Sequence, residues 1–305
     1  MKIVTRMTAI LLLSSSLPLN AQEAEISISK GTSKVEIKAG DQPFAELRFG
    51  PERSKPVLYP IFGPGQVKMT RDFPFSNDTK GEKHDHPHHE SLWYTHGNVN
   101  GISFWHIDKN TGTIKQTGVE ISGDTIITSN DWLGPDEKRV CSDQRVMKFS
   151  ILPDGSRLID FTVTINASDG DVTFGDTKEG SMGIRTHHLL RTDKGAEVTN
   201  SAGQKGKSIW GKPAKWVNYQ SKIEGKPIGV AMFDSPQNPR HPTTWHARDY
   251  GLVAANPFGA HDFSKAKKGT GDLVIKSGES VKFRYAIVFH KTTKPIEDIY
   301  NAWAK

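Results

Sequence analysis

The sequence contains a single cysteine, Cys141, among its 305 residues. One thiol excludes an intramolecular disulfide, so a chain of this length is expected to fold on its hydrophobic core alone. After residue 21 no stretch approaches about twenty consecutive apolar residues, which predicts no membrane insertion of the mature chain. The GxSxG, CxxC and HExxH motifs are also missing, so serine hydrolases and motif-defined zinc sites receive no support.

Neither sign of charge is in large excess, with 40 basic and 34 acidic residues. The basic residues are scattered, and the lysines of KAKKG at 265–269 are typical of a solvated loop. Nucleic-acid binding requires a basic stripe or a recognisable motif, and neither is present. We therefore expect no nucleic-acid partner and no disulfide partner.

The first 21 residues have the pattern of a signal peptide. Lys2 and Arg6 precede a short apolar run, and Ala21 ends an acceptable small-residue cleavage site,. The apolar run is too short to span a bilayer. We predict that residues 1–21 are removed and that residues 22–305 form an exported protein, periplasmic or secreted.

Apolar and polar residues alternate with period two in many short segments, such as VMKFSI at 146–151 and VKFRYAIVF at 281–289. This alternation is typical of half-buried strands, and the intervening clusters of Gly, Pro, Asp and Asn indicate turns. A helix is favoured only after Pro295, where Ile296, Ile299, Tyr300 and Trp303 form an apolar face. The predicted fold class is all-β: a large antiparallel two-sheet sandwich, in one domain, with one C-terminal helix.

Six of the twelve histidines lie in one segment at 84–106, HDHPHHESLWYTHGNVNGISFWH. Imidazole exchanges protons near neutral pH, and an arginine beside it can steady a carboxylate or an oxyanion. In SMGIRTHHLLR at 181–191, strand alternation places Arg185 and His187 on the same face. The candidate catalytic residues are His88, His89, Arg185, His187 and His246.

Aromatic and polar side chains near these residues are candidates for binding a sugar, because aromatic faces suit the flat apolar side of a sugar ring. We expect Trp93, Trp105 and Trp245 to be partly exposed along the walls of one cleft, although Trp105 also fits a buried strand at 102–107. The candidate substrate-binding residues are Trp93, His96, Asn98, Trp105, Trp245, Arg248, Asp249 and Asn256.

The same histidine segment permits a metal site. His86 and His88 share one side of an extended chain, and Glu90 continues that side, a spacing suitable for ligands of a divalent metal. Glu90 follows the two histidines sooner than the carboxylate does in an HxH site of the cupin type. Whether a metal binds here, and which metal, therefore stays open. Acid–base catalysis without a metal is the other use of these residues.

Three long motifs point to a family. The segments DHPHHESLWYTHGNVNGISFW, GSMGIRTHH and WHARDYGLVAANPFG resemble the PmoA-like family of exported bacterial proteins over nearly all of the mature chain. That resemblance implies a galactose-mutarotase-like supersandwich and a setting of polysaccharide degradation and sugar oxidation. The methane oxygenase activity in the family label is not carried over, because that enzyme is membrane-embedded.

Three functions of different classes are compatible with these observations. The leading hypothesis is a carbohydrate-active enzyme, a lyase, hydrolase or epimerase, that uses histidine acid–base chemistry on a glycan fragment. The second is a metal-dependent oxidoreductase with its metal at the histidine segment. The third is a non-catalytic sugar-binding protein, for which exposed aromatic platforms alone would suffice.

Overall fold

The computed structural model describes residues 25–223, 225–291 and 294–305. The predicted signal peptide lies outside these residues. The strands are β1 (Ile26–Lys30), β2 (Lys34–Ala39), β3 (Gln42–Arg48), β4 (Val57–Ile61), β5 (Leu92–His96), β6 (Thr113–Ser122), β7 (Thr125–Leu133), β8 (Arg139–Ile151), β9 (Arg157–Asn166), β10 (Val172–Phe174), β11 (Gly180–Arg185), β12 (Glu197–Asn200), β13 (Trp216–Ile223), β14 (Lys226–Asp234), β15 (Trp245–Ala247), β16 (Leu252–Ala255), β17 (Leu273–Ile275) and β18 (Ser280–His290).

The strands form two large sheets and a small two-stranded one. The first sheet has the order β1-β2-β3-β4-β5-β11-β16-β15, the second has the order β12-β13-β14-β18-β9-β8-β7-β6, and β10 pairs with β17. Neighbouring strands are antiparallel throughout, as in the pairs β5–β11 and β8–β9. The predicted all-β architecture of two large antiparallel sheets is therefore confirmed.

The described residues contain two α-helices, α1 (Ala260–Ser264) and α2 (Ile296–Trp303). Helix α2 is the predicted C-terminal helix, and its Ile296 and Tyr300 pack against Phe233 and Val288 on the outer face of the second sheet. The five-residue helix α1 is an addition to the prediction. No helix among the described residues has the length and apolar character that crossing a membrane requires.

The main core lies between the two sheets, and strand alternation determines which residues enter it. In β8 every second residue from Cys141 to Phe149 is buried, and Cys141, Met147 and Phe149 enter the core, whereas Lys148 is exposed. The single cysteine is therefore buried as a small apolar side chain,. Side chains of β5 such as Leu92 and Tyr94 fill the core from the first sheet.

The opposite face of the first sheet carries a second apolar layer that contains Trp93, Trp105 and Ala254. Register places His246 beside Ala254, Ala254 beside Gly183, and Gly183 beside Trp93, in one row across four strands. Gly183 allows close packing there, because a Cβ atom at that position would lie 2.8 Å from the Trp93 ring. His88 and His89, just before β5, lie against this outer face, which is the floor of the histidine cluster.

Candidate functional site

Buried ion pairs fasten the histidine segment to the fold just before β5. Glu90 Oε2 lies 2.5 Å from Lys55 Nζ, and Glu90 Oε1 lies 3.5 Å from Arg53 Nη1. The Lys55 side chain has 0% exposed surface, and this burial lowers the pKa of Lys55 although Glu90 opposes the shift. His88 and His89 directly precede Glu90 in the chain, so this contact limits where both imidazoles can lie.

Asp85 joins two buried arginines. Its Oδ1 accepts hydrogen bonds from Arg71 Nη1 at 2.7 Å and from Arg185 Nη2 at 2.8 Å. Partial burial raises the pKa of Asp85, but the charges of Arg185 and Arg71 and a hydrogen bond from His86 outweigh it and lower the pKa to about 2. Asp85 is therefore a permanent anion at neutral pH, and it holds Arg185 beside the histidines.

Arg185 determines the tautomer of His89. Its Nη1 lies 3.0 Å from His89 Nδ1. A guanidinium only donates hydrogen bonds, so Nδ1 accepts and the proton of the neutral ring is on Nε2. Burial, followed by the charges of His88 and Arg185, holds the pKa of His89 well below its usual value. His89 is therefore a neutral imidazole whose Nε2–H can donate to an oxygen.

His88 lies next to His89 and is half-buried. The two ring centroids are 4.5 Å apart at an interplanar angle of 79°, and the His106 ring is 5.0 Å away. Burial, and then the charge of His106, lowers the pKa of His88 to about 3. No hydrogen bond to another described residue occupies its ring nitrogens, so His88 offers an unprotonated nitrogen beside the donor of His89.

Four rings form a nearly parallel stack through the site. Going inward, the centroid distances are 5.2 Å from Tyr250 to His86, 4.8 Å from His86 to His89, and 5.6 Å from His89 to Trp93. The guanidinium carbon of Arg185 lies 4.6 Å from the Tyr250 ring centroid. Burial raises the pKa of Tyr250. The stack leads from the half-buried Tyr250 and exposed His86 to the floor at Trp93.

His246 presents the opposite tautomer at the other end of the row on the outer face. Its Nδ1 lies 2.9 Å from the backbone oxygen of Lys178, which can only accept, so Nδ1 carries the proton and Nε2 has the lone pair,. Burial lowers the pKa of His246 to about 4. Three strand spacings separate His246 from Trp93, roughly 14 Å between backbones. The outer face thus carries two neutral histidines of opposite tautomer: His89 has its proton on Nε2, and His246 has its proton on Nδ1.

These depressed pKa values predict that acid destabilises the protein. In the unfolded chain a histidine takes up a proton near pH 6.5, whereas folded His88 does so near 3 and His246 near 4. The unfolded state therefore binds more protons below about pH 6.5, and stability falls as the pH falls through the folded values.

We expect the melting temperature to fall steadily between about pH 7 and about pH 4.5. Thermal unfolding followed by circular dichroism at each pH measures this slope. His88→Gln removes one of the titrating groups and should make the slope shallower. A melting temperature that is constant over this range would show that the buried imidazoles are not neutral.

The structure places other predicted site residues apart from this cluster. His187 packs against His188 at a centroid distance of 4.3 Å, and its Nδ1 accepts from the backbone N–H of Leu189 at 3.2 Å. His96 is buried, with its ring nitrogens 3.2 Å from Ser181 Oγ and 2.8 Å from the Gly175 oxygen. These contacts tie both rings to neighbouring parts of the fold, and the expected meeting of His187 with Arg185 in one cleft stays a prediction.

Asn256 and Asn98 are also committed to backbone contacts. The amide of Asn256, which is fully buried, donates to the Thr177 oxygen at 2.9 Å and accepts from the Phe258 N–H at 2.9 Å. Asn98 Oδ1 accepts from the N–H of Gly101 at 2.9 Å. Both asparagines stabilise turns at the end of the first sheet, which accounts for their positions without a ligand.

The expectation of exposed tryptophans is wrong for all three residues. Trp93, Trp105 and Trp245 have relative exposures of 1%, 0% and 0%. Trp245 points into the main core, where its Nε1 donates to the Ala214 oxygen at 2.8 Å. Trp93 faces outward from the sheet, and Trp105 packs against it at a centroid distance of 5.2 Å. The rings of His88 and His89 lie over these two indoles, which therefore form the floor of the site.

The predicted metal ligands do not assemble into one group. Glu90 is turned toward Lys55 and Arg53, whereas His86 Nδ1 lies 3.2 Å from Asp85 Oδ1. Within the described ranges no set of three or more His, Cys, Asp or Glu side chains is placed to hold a metal ion. The described structure therefore does not assemble His86, His88 and Glu90 into one ligand set, and a metal at this segment stays a prediction.

Several residues of the cluster were not among the sequence candidates. Asp85 lies inside the histidine segment, and its position between two histidines was the available signal. Tyr250 follows Arg248 and Asp249 in the third motif. Arg71 and Lys55 lie in segments with no distinctive pattern, and only the fold brings them to the histidines.

The family of the chain follows from a sequence comparison. A model of a family of unknown function, DUF6807, matches residues 34–304. The chain belongs to this family. All the residues of the cluster lie within the matched range. The match does not test the resemblance to PmoA-like proteins, which stays a prediction. No curated protein sequence matches the chain.

Solved structures show distant similarity. The Slr1438 protein of Synechocystis sp. PCC 6803 has a TM-score of 0.38 at 11% identity, covering 94% of this chain and 100% of its own. A provisionally named aldose 1-epimerase of Escherichia coli K12 has a TM-score of 0.34 at 11% identity, covering 88% and 99%. The 4-alpha-glucanotransferase of Thermococcus litoralis has a TM-score of 0.31 at 8% identity, covering 88% of this chain and 40% of its own.

Proposed function

We propose that this protein is an exported carbohydrate-active enzyme that transfers protons to and from a glycan fragment through His88 and His89. The observation that carries the proposal is the pairing of an unprotonated, unoccupied imidazole, His88, with a neutral Nε2–H donor, His89, at a centroid distance of 4.5 Å. One group can accept a proton while the other hydrogen-bonds the oxygen on which charge develops.

The surroundings of the carboxylates favour a lyase or an epimerase over a hydrolase. A glycosidase of the usual type needs two carboxyl groups, one that donates a proton and one that acts as base or nucleophile. Near the histidines, Asp85 is bound by two arginines and Glu90 by Lys55. Both carboxylates are already bound by cations, so proton abstraction by histidine is the better-supported chemistry.

A pKa of about 3 for His88 keeps its nitrogen unprotonated at neutral pH but makes it a weak base,. A substrate that brings a negative charge near the ring would raise this pKa toward the working range. Arg185 acts here as a positioning residue, since its buried guanidinium is already bound to Asp85 and His89. An anionic sugar therefore suits the site better than a neutral one.

The two alternative functions have less support from the geometry. A sugar-binding protein that relies on aromatic platforms would need exposed indoles, but Trp93, Trp105 and Trp245 are buried. A metal-dependent oxidoreductase would need a ligand set, and Glu90 is committed to Lys55. The resemblance to PmoA-like proteins, which implies a glycan setting, is compatible with the proposed enzyme.

The test is turnover by purified protein on a panel of aldoses, uronates and their oligosaccharides. Nuclear magnetic resonance detects epimerisation or anomer exchange, and absorbance of an unsaturated product detects a lyase. We expect His88→Gln to lower turnover about a hundredfold or more with nearly unchanged stability, the usual cost of losing an acid–base group.

His84→Gln is the matched control, because His84 is an exposed histidine of the same segment that stacks on Phe73 at 4.9 Å. It should retain full turnover. Treatment of the wild type with a chelator tests the metal-dependent alternative, because a metal enzyme would lose turnover. Equal turnover by His88→Gln and His84→Gln on a substrate of the wild type would refute the role of His88.

A further inference from the structure

Arg248 is a cation without a counter-ion next to the histidine cluster. Its guanidinium carbon lies 5.4 Å from the centroid of the Tyr250 ring, and the residue is half-buried. Within the described residues no carboxylate pairs with this guanidinium, and no acceptor takes its side-chain N–H groups. Arg71 and Arg185, by contrast, both bind Asp85. Arg248 therefore has its planar set of donors available.

A pocket of about 270 Å³ opens beside Arg248, and its other lining residues are Lys207, Trp210, Ala247 and Asp249. This is slightly below the roughly 300–1,000 Å³ of typical ligand pockets, so it suits one sugar ring rather than a chain. Lys207 Nζ lies 3.2 Å from Asp249 Oδ2 and neutralises that carboxylate. The lining therefore has an excess of one positive charge, which is that of Arg248.

Trp210 supplies the aromatic wall that the buried tryptophans do not. It is half-buried, and the Phe263 ring packs perpendicular to it at 5.3 Å. Its Nε1 is shielded from solvent and has no hydrogen-bond partner among the described residues. The exposed part of the Trp210 indole offers a sugar ring an apolar face.

The pocket neighbours the histidine site through Tyr250. The Tyr250 ring contacts Arg248, which lines the pocket, and also Arg185 and His86 of the cluster, at 5.4, 4.6 and 5.2 Å. The His246 ring is 6.4 Å from Trp210, another lining residue. Two lining residues therefore connect the pocket to Tyr250 and to His246.

We infer that this pocket is a subsite for a sugar that carries a carboxylate, a uronate, with the carboxylate bound by Arg248 and the ring packed on Trp210. This rests on the proposed function for the sugar class, but it concerns binding and needs no turnover. The guanidinium fork matches a carboxylate through two parallel hydrogen bonds, a geometry that a neutral hydroxymethyl group cannot satisfy.

The probes are glucuronate and galacturonate, with glucose and galactose as neutral matches and inorganic sulfate as a bare anion. Affinity is measured by calorimetry on the full mature chain. We expect the uronates to bind at least tenfold more tightly than the neutral sugars, and Arg248→Gln to remove that preference, as expected for loss of a charge-assisted pair. Trp210→Ala should weaken the binding of uronates and of neutral sugars to the same extent.

Lys222→Met is the control for net charge. Lys222 is exposed and lines a separate groove of about 840 Å³ on the second sheet, with Asn218 and His290. This variant should bind uronates like the wild type. Sulfate that binds as tightly as the uronates, or a uronate preference that survives in Arg248→Gln, would overturn the inferred subsite.

The two proposals can fail separately. If His88→Gln retains the turnover of the wild type while Arg248→Gln loses uronate affinity, the catalytic role of His88 is wrong and the subsite stands. If turnover depends on His88 but neutral sugars and uronates bind equally, the subsite is wrong and the enzyme stands. Failure of uronates to bind at all overturns the subsite directly.

Discussion

Replacing Lys55 with methionine is expected to lower the free energy of unfolding by about 3–5 kcal/mol, because the change leaves the Glu90 carboxylate buried and poorly compensated. The two groups are 2.5 Å apart, and their side chains have exposures of 0% and 8%. Arg53, at 3.5 Å from the other carboxylate oxygen, is a weaker substitute. Chemical denaturation measures the loss.

Two further variants test that the cause is the unpaired charge. Lys55→Met combined with Glu90→Gln removes both charges and should recover much of the lost stability. Lys276→Met breaks the exposed pair with Asp171, 2.8 Å apart, and should have little effect,. A Lys55→Met protein as stable as Lys276→Met would show that the buried pair does not hold the histidine segment.

Replacing Trp93 with alanine is expected to cost a similar amount, about 3–5 kcal/mol, because a large buried ring is lost and the site can collapse only partly. Trp93 is 1% exposed and lies under His89 at a centroid distance of 5.6 Å. The change should also alter the chemical shifts of the His86 and His89 rings in the folded protein, since the floor of their stack is gone.

Trp245→Ala is the matched comparison. Trp245 is equally buried but belongs to the main core between the sheets. It should lose comparable stability with little change at His86 and His89. If both variants alter these imidazole signals to the same extent, the outer-face stack is not a separate unit. Trp93→Phe should retain most of the stability, because an aromatic ring still fills the floor.

The site keeps histidines neutral by surrounding them with cations and burying them. Arg71, Arg185 and Lys55 all lower the pKa values of His88 or His89 through their charges. Asp85 neutralises part of the charge of Arg71 and Arg185. Among the described contacts it forms no ion pair with His88 or His89. Such an arrangement favours an uncharged donor and acceptor over a charged acid, and it attracts an anionic ligand.

Local sequence patterns were sufficient for the strands and for the position of the histidine cluster. Alternation in segments such as 158–165 matches β9, because one face of each strand must be buried,. The histidine-rich segment does carry the main cluster, since so many imidazoles within few residues cannot all be core. At His187 the pattern was less informative, because backbone pairing beyond β11 continues only through the Thr70–Thr186 bridge and the His187 ring packs on His188.

What the sequence by itself determined was therefore the all-β class, the C-terminal helix and the segment that carries the histidine cluster. Tertiary structure alone decided which partners each side chain has. His89 owes its tautomer to Arg185, 96 residues later in the chain. Trp93 is buried partly by Lys55, which precedes it by 38 residues and lies 5.9 Å from its ring, and by Trp105. Protonation and exposure depend on neighbours distant in sequence, and a local pattern does not encode them.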